Sequence, residues 1–242
     1  MRARRTPNLQ QAVSEFWSVR TSQSRRQGRR TGLKDTGLRA AVTGGHQFDS
    51  LTRVLRQIIV SSGIPDKDIH TDVTVVPGFY RPSKEWDLVV VANGILLAVV
   101  ECKAHIGPSF GNNYNNRVEE ALGSSVDLLA AYREGAFSPG RRPWLGWLML
   151  LEDVPRSNTP VKASEPHFPV RSEYRDASYA QRYEHFCTKL LRDRLYDGAC
   201  LLLTARSDTG RVSYREPSVE LGFANFAASL SAHTHAFAQP DA

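Results

Sequence analysis

Apolar residues recur at helical spacing near the start of the chain. Leu9, Val13, Phe16 and Trp17, with Arg20 continuing the stripe, predict a helix over 8–27. A second amphipathic stretch over 46–61 carries Phe48, Leu51, Val54, Leu55 and Ile58 on one face, and Gly63 and Pro65 end it. Residues 69–76 predict a strand, followed by turns at Pro77-Gly78 and Arg81-Pro82. Residues 86–92 and 95–103 are apolar on both faces, as central strands are, and Asn93-Gly94 between them signals a hairpin. A helix over 112–134 places Val118, Leu122, Ser125, Leu129 and Tyr132 along one stripe, with Ala121, Gly123, Ser124 and Ser125 small enough for close approach to a sheet. Residues 144–151 and 199–204 predict two more buried strands, 154–177 a long loop, and 179–196 and 219–232 helices. There are no internal repeats. This order predicts an α/β protein, a single mixed β-sheet flanked by helices around one core.

Charges gather at the open end of the hairpin. Asp87 opens its first strand; Glu101 and Lys103 close the second. Register decides whether they meet, because a slip of one residue moves a side chain to the other face. A two-residue Asn93-Gly94 turn pairs Ala92 with Ile95, sets Asp87 opposite Val100, and sends the two carboxylates to opposite faces. A three-residue loop, Ala92-Asn93-Gly94, pairs Val91 with Ile95 and makes Asp87 and Glu101 diagonal neighbours, about 7–8 Å apart on one face. We expect the bulged three-residue loop, since it gathers the charges into one cluster; a kink near Asp87 is the other route.

Two carboxylates at the end of a buried sheet repel unless a cation intervenes. Hard oxygen ligands point to Mg2+, and the backbone carbonyl of Cys102 is placed to add an oxygen. Lys103 then either orients or deprotonates a water, or neutralises charge on an attacked phosphate. Such a site suits phosphodiester hydrolysis. The plain alternative is an exposed strand end, because a Glu-x-Lys triplet arises by chance about once in a chain of this length.

Composition narrows the classes. The 242 residues are 41% hydrophobic and 23% charged, enough for a core without staples. Three cysteines with no CxxC pair fit a reducing cytoplasm and argue against a zinc site. No apolar run nears the roughly 20 residues of a membrane span, and the N-terminus lacks the apolar segment of a secretion signal. No GxxxxGK[ST] loop suggests a nucleotide cofactor. The net charge of +6 is concentrated at the start, where residues 1–42 hold ten basic residues against Glu15 and Asp35. Arg25, Arg26, Arg29 and Arg30 are candidates for DNA-backbone contact, or belong to a solvated tail. In the stretch 111–117, Asn112, Asn113, Asn115, Asn116 and Arg117 are candidate DNA contacts, since Asn pairs with adenine and Arg with guanine; Asn clusters also favour turns and caps. His105 is read as a surface histidine, and His233 and His235 as tail.

These residues resemble the PD-(D/E)XK nuclease superfamily, with Asp87 at its first acidic position, Glu101-Cys102-Lys103 at the second, and Trp86 in place of its proline. The blocks RPSKEWDLVVVANGILLAVVECK and IGPSFGNNYNNRVEEALGSSVDLLAAYREGAF, with AVTGGHQFD before them, are similar to XhoI-type Type II restriction endonucleases. The resemblance implies a restriction-endonuclease-like α-β-β-β-α-β core with helical additions at both ends. Residues 1–44 would be a basic helical arm and 45–242 the nuclease domain. It implies a homodimer that cuts double-stranded DNA at the palindrome CTCGAG after the first C, with Mg2+, leaving 5′-phosphate overhangs. Asp87, Glu101 and the Cys102 carbonyl would hold metal, and Lys103 would manage the water. Glu119 or Glu120 either adds a carboxylate or complements the helix N-terminus. A repair or junction-resolving nuclease, and a DNA-binding protein without catalysis, are the alternatives.

Overall fold

The computed structural model describes residues 8–31, 47–137 and 140–239, the side chains of 23–31 excepted. The chain begins with helices α1 (Leu9–Thr31) and α2 (Asp49–Ser61). Five strands follow: β1 (Ile69–His70), β2 (Val75–Pro77), β3 (Ser83–Glu85), β4 (Leu88–Ala92) and β5 (Ile95–His105). Then come α3 (Gly111–Arg133), β6 (Trp144–Glu152), a single turn α4 (Pro155–Asn158), α5 (Tyr179–Arg192), β7 (Gly198–Arg206), β8 (Val212–Arg215) and α6 (Phe223–Ala238).

Six strands form one mixed sheet in the order β1-β4-β5-β6-β7-β8. Its centre, β5-β6-β7, is parallel, and the outer pairs are antiparallel. The apolar runs predicted as central strands are therefore covered on both sides, as parallel strands must be. One core lies under α1, α2 and α6, where Phe16, Leu51, Leu55 and Phe226 pack on Leu88, Val100 and Leu148. The other lies under α3 and α5, where Leu128, Tyr183 and Phe186 pack on Val99, Trp147 and Met149. Among the described residues no helix is long and apolar enough to cross a membrane.

Three local expectations change. The strand expected over 69–76 is broken, because Thr71, Asp72 and Val73 stay exposed; its first part edges the main sheet as β1 and its last part pairs with β3 in a separate ribbon. The helix expected over 112–134 forms as α3 and opens at Gly111, with Phe110 and Tyr114 buried at its start. The buried stripe of α3 is also rotated. Ala121, Ser124, Ser125 and Leu128 face inward while Leu122 is exposed, and the Tyr196 hydroxyl donates to the Ala121 carbonyl at 3.0 Å. His233 and His235 belong to α6, and His235 Nδ1 lies 3.1 Å from the Ser62 carbonyl.

Candidate active site

The β4–β5 hairpin sets the site. Its turn is the tight two-residue form: Asn93 and Gly94 have φ of 52° and 75°, and Ala92 pairs with Ile95. Both residues occupy the left-handed region that a primed turn demands and that Asn-Gly supplies. The three-residue loop, with Val91 opposite Ile95, is thus corrected. The extra residue lies elsewhere. Val91 pairs with Leu96 but Val90 pairs with Ala98, leaving Leu97 as a bulge inside β5. Leu97 and Ala98 both face the α1/α2 core, whereas Leu96 and Val99 face the α3/α5 core. This break in alternation shifts all that follows. Leu88 pairs with Val100, so the next step of the ladder sets Asp87 across from Glu101.

The Glu101 carboxylate is 4% exposed and held between two ammonium groups. Its Oε2 accepts from Lys84 Nζ at 2.8 Å, and its Oε1 from Lys103 Nζ. Lys84 comes from β3 and lies 4.6 Å over the Trp86 ring. Asp87 sits just before β4 begins, and its Oδ2 accepts from the Cys102 backbone N–H at 2.7 Å. The carboxylate thereby replaces the strand partner that β5 has lost on that side. Burial, then the Glu101 charge, pushes the Asp87 carboxyl up to about 6, against Lys103, the Cys102 N–H and Lys84. Burial would lower the Lys103 ammonium, but Glu101 and Asp87 outweigh it and raise its pKa.

Two hollows flank this cluster, and Lys103 and Glu120 line both. The larger, about 540 Å³, is lined by Lys84, Glu101 and Glu119 among others. The smaller, about 230 Å³, is lined by Arg20, Gln47, Asp87 and Arg117. Asn112, Asn115 and Asn116 are exposed on the first turns of α3 and line neither hollow. Asn113 also lines neither, and its Nδ2 donates to the Ser109 carbonyl at 2.7 Å. Arg117 turns inward, with Nη1 on Glu120. The side chains of Arg25, Arg26, Arg29 and Arg30 lie outside the described residues, as does most of the AVTGGHQFD stretch.

Sequence reasoning missed three contributors. Lys84 precedes Trp86 by two residues, and that alternation along one strand face was its only cue. Asp127 of α3, nearly buried, accepts from the backbone N–H groups of Phe79 and Tyr80 at 2.9 and 2.7 Å and from Arg81 Nε at 2.8 Å. It fixes the tip of the β2–β3 ribbon that delivers Lys84. His105 is buried rather than superficial, with Nδ1 2.8 Å from the Tyr183 hydroxyl and Nε2 3.0 Å from the Ser109 carbonyl. Burial pushes its pKa down to about 4, so a neutral ring joins the end of β5 to α5.

The donors suit a hard divalent ion. Among the described residues no group of three or more His, Cys, Asp or Glu side chains gathers. The Asp87 and Glu101 carboxylates and the Cys102 carbonyl are the groups here that could hold one. Mg2+ commonly takes one or two carboxylates and keeps water and substrate phosphate for its other positions. An ion bound by Glu101 would share an oxygen that a lysine now holds.

The chain is similar to known restriction enzymes. The family model described as restriction endonuclease XhoI matches residues 26–216. The Type II restriction enzyme BstVI of Geobacillus stearothermophilus is 48% identical over 206 residues, 83% of this chain and 92% of that protein. The Type II restriction enzyme XhoI of Xanthomonas vasicola is 42% identical over 183 residues, 74% of this chain and 72% of that protein. The Type II restriction enzyme AbrI of Azospirillum brasilense is 41% identical over 160 residues, 65% of this chain and 71% of that protein. No solved structure matches the chain.

Proposed function

Since the chain belongs to the restriction endonuclease XhoI family and is a site-specific deoxyribonuclease of Type II, we propose that it cuts double-stranded DNA at CTCGAG, after the first C. The products carry 5′-phosphate overhangs, the cofactor is Mg2+, and the active form is a homodimer. A two-fold pair of subunits matches a palindromic substrate. Type II restriction enzymes generally use divalent ions, and Asp87, Glu101 and the Cys102 carbonyl would hold one here. When bound, that ion polarises the phosphate and lowers the pKa of a nearby water.

The residues of this chain do the rest. Asp87 is held in place by the Cys102 N–H, and Glu101 by Lys84 and Lys103. Lys103, between the two hollows, orients the attacking water and offsets negative charge on the attacked phosphate. The observation that supports this reading most is the meeting of Asp87, Glu101 and Lys103 at one rim of the sheet. Exposed Asn112, Asn115 and Asn116 on α3 are our candidates for DNA contact, with Asn113 beside them and the arm arginines Arg25, Arg26, Arg29 and Arg30 on the backbone.

Digestion tests the reading. A plasmid with one CTCGAG site should become linear with Mg2+ and stay intact with EDTA, and end sequencing should place the cut after the first C. Cutting at another sequence, or cutting without metal, would refute the corresponding part.

A further inference from the structure

The smaller hollow beside Asp87 holds more polar surface than a metal-binding pair requires. Arg20 of α1, Gln47 just before α2 and Arg117 of α3 reach it from three separate elements. Gln47 is only 9% exposed, and among the described residues its Oε1 has no hydrogen-bond partner; the buried Nε of Arg117 has none there either. Buried donors and acceptors are rarely left unmade, and an exception calls for an explanation such as a water, an ion or a ligand group. Rotation of the Gln47 amide presents its NH2 in place of the oxygen. Arg20, Arg117 and Lys103 face Asp87 and Glu120 here, a surplus of one positive charge before any divalent ion is counted. A single trapped water would satisfy Gln47 and the Arg117 Nε but gives no reason for two guanidinium groups.

Resting on the nuclease reading above, we propose that this hollow seats a phosphodiester group of the DNA backbone next to the one being cleaved. Arg20 and Arg117 donate to its oxygens, and the Gln47 amide supplies a third donor. Guanidinium forks match the spacing of phosphate oxygens. Arg117 therefore positions the duplex rather than reading guanine, which leaves base contacts to the exposed asparagines of α3. Anchoring a neighbouring phosphate fixes the scissile bond against Asp87 and Lys103 without direct contact with the reacting atoms.

The test is duplex binding by the full chain in EDTA over a series of salt concentrations. Arg20→Ala and Arg117→Ala should each weaken binding about tenfold and reduce the slope of log K against log salt by about one. Arg117→Lys should keep the slope, and Gln47→Leu should weaken binding without changing it. Replacing single phosphates by neutral methylphosphonates then locates the contact: one position beside the scissile phosphate should cost the wild type affinity and cost Arg117→Ala nothing further. Thermal melts accompany each variant, and if Arg117→Ala does not fold, Arg20→Ala and Gln47→Leu carry the test. Variants that melt early yet bind with the wild-type slope would reduce the hollow to a structural cavity. Cleavage is scored apart from binding. A wild type that cuts, with slopes unchanged in the variants, sinks the phosphate seat alone; a wild type that does not cut sinks the nuclease reading, while the slopes still decide the seat.

Discussion

The two ends of the β4–β5 hairpin are built on different principles. At the turn, local chemistry decides everything: Asn93 and Gly94 accept left-handed backbone, and the strands close in the tightest register. At the open end, three charged side chains meet, although that register by itself would have separated them. The reconciliation lies between the ends, at Leu97, one unpaired residue that turns the rest of β5 over. The comparison teaches that a site can depend on a residue with no chemistry of its own.

Removing both lysines, Lys84→Met with Lys103→Met, attacks the open end most severely. It leaves the buried Glu101 carboxylate without a cation. We expect a loss of about 3–5 kcal/mol, the cost of an uncompensated buried charge, seen as a collapse of the denaturant midpoint together with loss of cleavage. A double variant that melts normally would refute the lysines as what holds that carboxylate in place. Glu101→Gln leaves the lysines and removes the charge. Cleavage should fall roughly a thousandfold, the scale of several kcal/mol of transition-state stabilisation, while duplex binding in EDTA persists. Lys84→Met removes the 2.8 Å contact to Glu101, and about a 10- to 100-fold fall in activity is expected in single-turnover kinetics. At the other end, Gly94→Ala strains a residue at φ 75° and should cost about 1 kcal/mol of stability, with turnover per folded molecule unchanged. The smallest effect concerns Asp127. Burial opposes its ionisation, but Arg81 and the Tyr80 and Phe79 N–H groups outweigh this and hold its pKa below 3.8. Its stabilisation is complete above that ordinary value and is lost as pH falls through the depressed one. Asp127→Asn should therefore flatten the fall in melting temperature below about pH 4.

Much of this was legible in the chain itself. The hairpin, the buried central strands and the flanking helices announced themselves through unbroken apolar runs and helical stripes, because burial on two faces leaves little room for other residues. The bulge did not, since Leu97 is as apolar as its neighbours and register carries no compositional mark. Lys84 and Arg20 were invisible as site residues for another reason: they arrive from β3 and α1, elements whose placement depends on long-range packing. His105 looked superficial because the hydroxyl that partners it, that of Tyr183, lies 78 residues away in the chain.

The most direct trial is anomalous diffraction from crystals of the protein with uncleaved DNA and Mn2+ in place of Mg2+. A peak in bonding contact with the carboxylates of both Asp87 and Glu101 is the predicted result. A complex in which Glu101 stays clasped by Lys84 and Lys103, with no ion shared between the acids, would contradict it.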